Sequence, residues 1–231
     1  MSAGPEQDGS AATGPGAEAP LRGLPGQRRV VERRTSHHGM VFDLSRDTID
    51  FAPGVRFDRE YVRHPGAVAV LALDEQGRVL LIRQYRHPVG HELWEIPAGL
   101  LDHGDEPEQD AALRELAEET GYTAGTLRSL IDLRPSPGGS DEVLRVYLAT
   151  DVHPAEDLDF AREHEEAELL QRWVDLDEAV AAVLAGEISN ATTVAALLAL
   201  RAVQAGEGTS ALRPADTPFP ERLGRDEAAA H

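Results

Sequence analysis

The distribution of apolar residues along the chain predicts a mixed α/β domain. Between residues 30 and 51, apolar and polar positions alternate loosely, which predicts short strands in a small N-terminal sheet. Residues 67–73 (AVAVLAL) and 79–82 (VLLI) are almost continuously apolar and flank a turn at 74–77. Runs of this kind are typical of strands that are covered on both faces of their sheet. Further strands are predicted at 92–96, 127–133, 143–149 and 169–174.

Three segments are predicted to be helices. The first ends at Gly121, has an apolar side formed within residues 111–117, and has acidic residues near its start. The other two are predicted near 177–185 and 191–204, and Asn190 is placed to cap the second of them. The order of strands and helices is that of a mixed sheet between helices.

The two ends of the chain differ in composition from this core. Residues 1–27 are rich in Gly, Pro, Ala and Glu and have no aromatic residue, and residues 205–231 are similar in character. Neither stretch can bury enough apolar surface to offset its ordering entropy, so we expect two disordered tails. The N-terminus lacks the basic start and apolar run of a secretory signal, and we expect no bilayer-spanning segment.

Charge and residue usage exclude several classes of function. The net charge is −19, which argues against nonspecific binding to nucleic acid or to an anionic membrane. All 22 basic residues are arginine, so lysine Schiff bases and the lysine of nucleotide-binding phosphate loops are excluded. There is no cysteine, which excludes disulfides and thiolate chemistry and fits a cytoplasmic enzyme.

Three carboxylates are predicted to share one face of the first helix. Glu115 lies three and four residues before Glu118 and Glu119, a spacing that stacks the three side chains. Like charges at this separation destabilise an exposed helix by roughly 0.2–0.5 kcal/mol per pair, so a neutralising partner is expected. A hard cation such as Mg²⁺ prefers carboxylate oxygens and keeps waters and substrate phosphates as its other ligands. A merely solvated acidic face is the alternative.

Residues 99–122 resemble the Nudix box, in which Gly, five residues, Glu, seven residues and Arg-Glu precede an aliphatic residue, any residue, Glu-Glu, any residue and Gly. The match is complete from Glu106 onward, with seven residues between Glu106 and Arg114. Six residues rather than five separate Gly99 from Glu106. Asp105 would restore the shorter spacing but would break the register to Arg114. We keep Glu106, because an extra loop residue costs little whereas a shifted helix rotates every ligand.

The resemblance extends beyond the box, over about residues 30–204, and is greatest to the actinobacterial type of ADP-ribose pyrophosphatase within the Nudix hydrolase family. The other matching stretches are WEIPAG at 94–99, the proline-bearing PSPGGSDE at 135–142, RQYR at 83–86 and DRE at 58–60. The resemblance implies an α/β/α sandwich with a mixed sheet and a small N-terminal antiparallel β-sheet. It implies an N-terminal β region for dimerisation at 28–60 and a Nudix hydrolase domain at 61–204.

The resemblance also implies an activity, namely Mg²⁺-dependent hydrolysis of the pyrophosphate bond of ADP-ribose to AMP and ribose 5-phosphate by a homodimer. Another nucleoside-diphosphate sugar is the alternative substrate, because the box contacts only the diphosphate and the metal. A non-catalytic ADP-ribose-binding regulator is the alternative from a different class. Such regulators carry damaged boxes and an attached DNA-binding domain, whereas here the box is intact and both tails lack a helix-turn-helix pattern.

The metal site follows from the same resemblance. Glu115 and Glu119 are expected to be the main ligands of Mg²⁺, with Mn²⁺ as the alternative ion, and Glu118 is expected to assist them. The backbone carbonyl of Ala98 is a further ligand, and Gly99 after it lets the chain turn close to the metal. Metal ions bound here would activate water and hold the attacking and bridging oxygens together, which makes Glu119 part of the catalytic set.

Two further residues of the box are expected to organise the carboxylates. Arg114 lies within the acidic helix, so it is expected to orient carboxylates through ion pairs rather than to touch substrate. Glu106 is expected to bond either to Arg114 or to the backbone of the preceding loop.

The general base is expected outside the box. ADP-ribose pyrophosphatases carry a mobile acidic loop before a late strand, and the matching stretch here is EHEEAE at 163–168. Glu165 aligns best as the base and Glu166 is the close alternative, with His164 as a neighbour. Without the resemblance, this stretch would be interpreted as a solvated run of charge.

Four residues are expected to bind substrate. Arg59 and Glu60 align with residues that contact the adenine end of ADP-ribose, partly across the dimer interface. Arg86 is expected to contact a phosphate or a ribose. Glu142 follows the proline-bearing loop and is expected either to contact the terminal ribose or to close over the metal site.

Overall fold

The computed structural model of the chain describes residues 28–156 and 169–220, together with residues 21, 23 and 26. The strands within these ranges are β1 (Arg29–His38), β2 (Asp43–Ala52), β3 (Val55–Arg63), β4 (Ala67–Ala72), β5 (Arg78–Arg86), β6 (His91–Glu95), β7 (Ala98–Leu100), β8 (Tyr122–Leu133), β9 (Leu144–Pro154), β10 (Leu170–Asp175) and β11 (Arg213–Pro214). The α-helices are α1 (Glu108–Thr120), α2 (Leu176–Leu184) and α3 (Ala191–Ala205). Among these described residues, no helix has the length and apolar character needed to span a membrane.

The N-terminal region is an antiparallel three-stranded sheet in the order β1-β2-β3. The strands have ten, ten and nine residues, so they are longer than the short strands expected from the sequence. Side chains of opposite charge pair between neighbouring strands of this sheet: Arg33 Nε lies 2.8 Å from Asp47, and Arg56 Nε lies 2.6 Å from Asp50. Such cross-strand pairs stabilise a sheet without an alternating apolar pattern, which is why the alternation understated the strands.

The core consists of a five-stranded sheet, β11-β8-β9-β4-β7, and a three-stranded sheet, β10-β5-β6. β4 is parallel to β9 and antiparallel to β7, so the larger sheet is mixed. Every residue of β4 is buried, as predicted for a strand covered on both faces. Ala69 and Leu71 face a cluster with α2 and α3, whereas Val68 and Val70 face a cluster with α1. Helices therefore cover both faces, and the expected α/β/α sandwich is confirmed.

Two strands of the larger sheet are longer than expected. β8 begins at Tyr122, directly after the glycine that ends α1, rather than at residue 127. Its early residues pair with the late residues of β9, from Tyr122 opposite Pro154 to Thr126 opposite Thr150. This part of the sequence is polar and contains Gly125, so its local pattern did not indicate a strand; the pairing partner supplies the structure.

The start of the expected C-terminal tail lies against the core. Residues 205–220 lie within the described chain, and β11 pairs with β8. The cause is Arg145 on β9, whose side chain is only 1% exposed. A buried guanidinium requires acceptors. Asp132 binds it at 2.7 Å, and the backbone carbonyls of Thr217 and Pro218 accept from its other nitrogens. The expected domain boundaries stay a prediction.

Candidate active site

Helix α1, which carries the acidic row of Glu115, Glu118 and Glu119, is well defined at both ends. Pro107 precedes it in an extended conformation, and Glu108 and Asp110 lie in its first turn, where negative charge interacts favourably with the helix dipole. Gly121 ends it in the left-handed conformation, with φ of 77°, and donates its N–H to the carbonyl of Ala117 at 2.8 Å. The structure therefore confirms the helix and its C-terminal glycine.

Arg114 lies at the centre of the carboxylate row. Its Nη1 is 2.7 Å from Glu115 Oε1 and 2.9 Å from Glu118 Oε2. Its other side binds both oxygens of Glu106, with Nε and Nη2 each at 3.0 Å. The hydrogen bond to Glu106 is the main cause of a raised pKa of Arg114, and it lowers the pKa of Glu106. The expected ion pairs are confirmed, and Arg114 supplies part of the countercharge that the row requires.

Glu119 is held against residues 96–99, the segment that leads out of β6 into the first two residues of β7 and is called the Ala98–Gly99 turn below. Glu119 is only 6% exposed, and its Oε2 accepts a hydrogen bond from the N–H of Ala98 at 3.0 Å. The helix approaches this turn so closely that a Cβ atom on Gly99 would lie 1.9 Å from Cδ of Glu115. Ala98, Glu115 and Glu119, three of the expected metal-binding positions, are thus brought together, and Glu118 joins them through Arg114.

The turn itself is fixed from behind by the core. The N–H of Ile96 donates to Thr193 Oγ1 on α3 at 3.0 Å, and the N–H of Val70 donates to the carbonyl of Pro97 at 2.8 Å. Thr193 is fully buried, and its own hydroxyl donates to Asn190 at 3.0 Å. The backbone on either side of Ala98 is therefore anchored to both a strand and a helix.

The donor set at this turn fits a hard divalent cation. Among the described residues, no three acidic or histidine side chains are arranged around a common point for a metal ion. Glu115 and Glu118 instead lie on Arg114, and Glu119 lies on Ala98 N. The available donors are nonetheless all oxygen, which is the set that Mg²⁺ or Mn²⁺ prefers. The missing side chain at Gly99 leaves the room that the Glu115 carboxylate occupies.

Arg86 lies at the end of β5 and is oriented by a buried carboxylate. Its Nη2 is 2.8 Å from Glu95 Oε2, and its Nε is 3.1 Å from Oε1. Glu95 is 3% exposed and stands three residues before Ala98, at the end of β6. The guanidinium is about two-fifths exposed, so it faces solvent. Its contact with Glu95 fixes its orientation close to the Ala98–Gly99 turn. Its expected contact with substrate stays a prediction.

The other expected substrate residues lie on or beside the N-terminal sheet. The Arg59 guanidinium stacks 4.6 Å from the centre of the Phe57 ring, and exposed Glu60 lies 4.0 Å from Arg46. Glu142 is half-buried, and its N–H donates to Ser140 Oγ at 3.1 Å.

The sheet and the proline-bearing loop are joined to each other. Val62 N donates to Gly139 O at 2.9 Å, and the N–H of His64 donates to the carboxylate of Asp141 at 2.7 Å. β3, which carries Arg59 and Glu60, thus ends at the loop that precedes Glu142. Within one chain these residues contact their own sheet and loop, so their expected roles stay predictions.

Two of the expected catalytic residues, Glu165 and Glu166, lie outside the described residues. The sequence interpretation also missed residues that the structure ties to the site. Glu95 could have been found, because it is an acidic residue in an otherwise apolar stretch and follows a strand that ends in arginine. Thr193 could not, because it is separated by 97 positions from the Ile96 amide that it holds.

Comparison with known proteins agrees with this geometry. The family model for the NUDIX domain matches residues 62–197, which include α1, the Ala98–Gly99 turn and Arg86. The chain belongs to the Nudix family, and the resemblance found in the sequence is confirmed.

Similarity to individual proteins indicates which class of Nudix protein this chain resembles. The chain is 43% identical over 193 residues to the ADP-ribose pyrophosphatase of Mycobacterium tuberculosis, covering 84% of this chain and 91% of that protein. It is 37% identical over 179 residues to the ADP-ribose pyrophosphatase of Bacillus subtilis, covering 78% and 95%. A solved structure described as an ADP compounds hydrolase superposes with a TM-score of 0.66 at 25% identity, covering 81% of this chain and 99% of that one.

Proposed function

We propose that this chain is a Mg²⁺-dependent ADP-ribose pyrophosphatase that yields AMP and ribose 5-phosphate. The observation that carries the proposal is the meeting of Glu115 and Glu119 with the Ala98–Gly99 turn, in a chain that has two relatives named ADP-ribose pyrophosphatase. Water adds across the P–O–P bridge, so one phosphorus gains the water oxygen and the other keeps the bridging oxygen.

Each residue of the site has a distinct task in this proposal. Glu115, Glu119 and the Ala98 carbonyl would hold Mg²⁺ or Mn²⁺, and Glu118 would assist. A cation bound there supplies charge neutralisation and lowers the pKa of coordinated water. Arg114 keeps the carboxylates from repelling one another, since it contacts Glu115 and Glu118 at once.

Arg86 is suited to bind a phosphate of the substrate. A guanidinium matches phosphate geometry, and the bidentate contact with buried Glu95 fixes its plane before substrate arrives. Glu142 would contact the terminal ribose or close over the metal site. Glu165, with Glu166 as the alternative, would accept the proton of the attacking water as general base.

The N-terminal sheet supports a homodimer. Eight exposed large hydrophobic side chains concentrate in this part of the chain: Val30, Val31, Met40, Val41, Phe42, Leu44, Phe51 and Val55. Exposed apolar side chains grouped in one region of a chain commonly mark a protein interface. A second copy packed here would cover it, and Arg59 and Glu60 on β3 would then contact the adenine end of substrate across the interface. The lack of cysteine fits a cytoplasmic location.

The test is product analysis with a matched pair of variants. The purified full chain with Mg²⁺ should convert ADP-ribose into AMP and ribose 5-phosphate, measured by chromatography. Glu119→Gln keeps the size of the side chain but removes the charge, and we expect kcat to fall by roughly 100-fold or more. Asp110→Asn makes the same chemical change at an exposed position of α1 and should leave kcat unchanged.

A substrate panel decides between the alternatives. Faster turnover of GDP-mannose than of ADP-ribose would replace the substrate but keep the metal site. Binding of ADP-ribose without any turnover would favour a ligand-binding regulator. Equal rates for Glu119→Gln and the parent chain would contradict the site assignment itself.

A further inference from the structure

The end of α1, directly after Glu119, is bonded to a strand from the other sheet of the core. The last carbonyls of a helix have no partner within the helix and need donors from elsewhere. Gln171 on β10 provides one, because its Nε2 donates to the backbone carbonyl of Glu119 at 3.1 Å. The two residues are 52 positions apart in the sequence.

A second contact seats β10 in the same place. The Trp173 ring lies edge-on to Tyr122, with ring centres 5.6 Å apart and an interplanar angle of 87°. Successive side chains of a strand point to opposite faces, so Gln171 and Trp173 project to the same side of β10. Tyr122 follows Gly121, so both contacts hold β10 against the end of α1.

The contacts of Gln171 and Trp173 with the end of α1 connect two parts of the site. β10 is hydrogen-bonded to β5, with Gln171 opposite Ile82, and β5 with β6 carries Arg86 and Glu95. α1 packs on β4, β7 and β8 of the other sheet. The Gln171 bond therefore fixes the helix that bears Glu119 relative to the sheet that bears Arg86. Glu119 is held at both ends, by Ala98 at its carboxylate and by Gln171 at its carbonyl.

We propose that Gln171 is a positioning residue for the metal centre, which sets the place of the Glu119 carboxylate relative to the Ala98 turn and to Arg86. The inference rests on the proposed function. Gln171 itself is exposed, so its substitution leaves the core intact and its effect on the site can be separated from an effect on folding.

The test compares three substitutions in the full chain at about pH 8. Gln171→Met preserves the size of the side chain but has no donor. Gln171→His restores a ring N–H of similar reach and is neutral at this pH, since the pKa of histidine is about 6.5. Arg172→Met is the control, because Arg172 is the next residue on the same strand and forms an exposed ion pair with Glu178 at 2.7 Å.

Two readouts decide the matter: the affinity for Mn²⁺ without substrate, measured by electron paramagnetic resonance, and kcat for ADP-ribose. Supporting groups around metal ligands typically change affinity or activity by about 10- to 100-fold. We expect Gln171→Met to weaken Mn²⁺ binding and lower kcat by about tenfold each, at the lower end of that range. Gln171→His should recover most of both, and Arg172→Met should match the parent chain.

Unchanged Mn²⁺ affinity in Gln171→Met would overturn the proposal, even if its melting temperature fell, because Gln171 would then only cap the helix. Equal losses in Arg172→Met would also overturn it. The proposed function fails separately, if the parent chain binds Mn²⁺ but does not hydrolyse ADP-ribose; the effect of Gln171 on Mn²⁺ binding would still be measurable.

Discussion

The Ala98–Gly99 turn and the surface of the N-terminal sheet use charge in different ways. At the turn, Glu119 and Glu95 are almost completely buried, and each carboxylate has a defined partner: the N–H of Ala98 for Glu119 and the guanidinium of Arg86 for Glu95. In the sheet, pairs such as Arg46–Asp58 and Arg56–Asp50 lie at the surface beside exposed apolar side chains. The contacts of the turn described above lie within one chain, whereas we propose that a second chain covers the apolar side chains of the sheet. We therefore expect chemistry to depend on the turn and substrate affinity on the sheet.

The strongest disruption of the turn should come from Gly99→Ala. The added Cβ would lie 1.9 Å from Glu115 Cδ, so the carboxylate or the turn must move. Small displacements of reacting groups can cost about 100-fold in rate, and we expect kcat to fall by at least that factor. Steady-state kinetics with ADP-ribose and Mg²⁺ measures it.

Gly125→Ala is the matched control. Its Cβ would lie 2.2 Å from Asp151 Oδ2, a similar collision with a carboxylate, but on an exposed part of β8. We expect near-parental kcat, because the Asp151 side chain can swing into solvent. Parental activity in Gly99→Ala would show that the close approach of α1 to the turn is not required.

An intermediate effect is expected when the sheet surface is charged. Phe42→Asp places a carboxylate among the exposed apolar side chains of the N-terminal sheet, and Phe42 is about half exposed. We expect a monomer by light scattering and an increase in KM on the order of tenfold, with a smaller change in kcat, because an interface loses an apolar anchor.

Leu184→Asp controls for the added charge, since Leu184 is exposed at the end of α2, outside the sheet. It should remain a dimer with parental KM. A parent chain that is itself a fully active monomer would remove the role of the sheet in binding substrate.

The smallest effect concerns stability and pH. The hydrogen bond from Arg114 lowers the pKa of Glu106 below its usual value of 4.5. A lowered pKa in the folded state contributes stability that is present above the unfolded-state pKa and is lost as pH falls through the folded-state pKa. Because both partners are partly exposed, we expect Glu106→Gln to lose less than about 1 kcal/mol at neutral pH.

Urea unfolding at a series of pH values tests this sign. The difference between the parent chain and Glu106→Gln should be constant from neutral pH down to about 4.5 and should shrink at lower pH. A difference that grows toward acid pH would show that the ion pair with Arg114 does not stabilise the fold.

The sequence predicted those features whose causes lie close together along the chain. α1 has its acidic first turn, apolar side and terminal glycine within 14 residues, and its carboxylate row follows from the i, i+3 and i+4 spacing. β4 and β5 were visible because burial on both faces leaves an apolar run.

Features that join distant residues were not predictable in this way. The length of the N-terminal strands depends on charges that pair across strands, and the order of residues 205–220 depends on acceptors for buried Arg145. Gln171 is an exposed polar residue in a strand pattern, and nothing around it indicates the carbonyl of Glu119. Such contacts are set by the packing of the two sheets rather than by local sequence.

The most direct test of the division between turn and sheet is the location of bound Mn²⁺ by NMR relaxation in the isotopically labelled full chain. Mn²⁺ broadens the signals of nearby amides. The proposed site predicts the strongest broadening at residues 98–99 and 115–119, with residues 29–63 much less affected. Broadening centred on the N-terminal sheet, or spread evenly over the acidic surface, would contradict a metal centre at the Ala98–Gly99 turn.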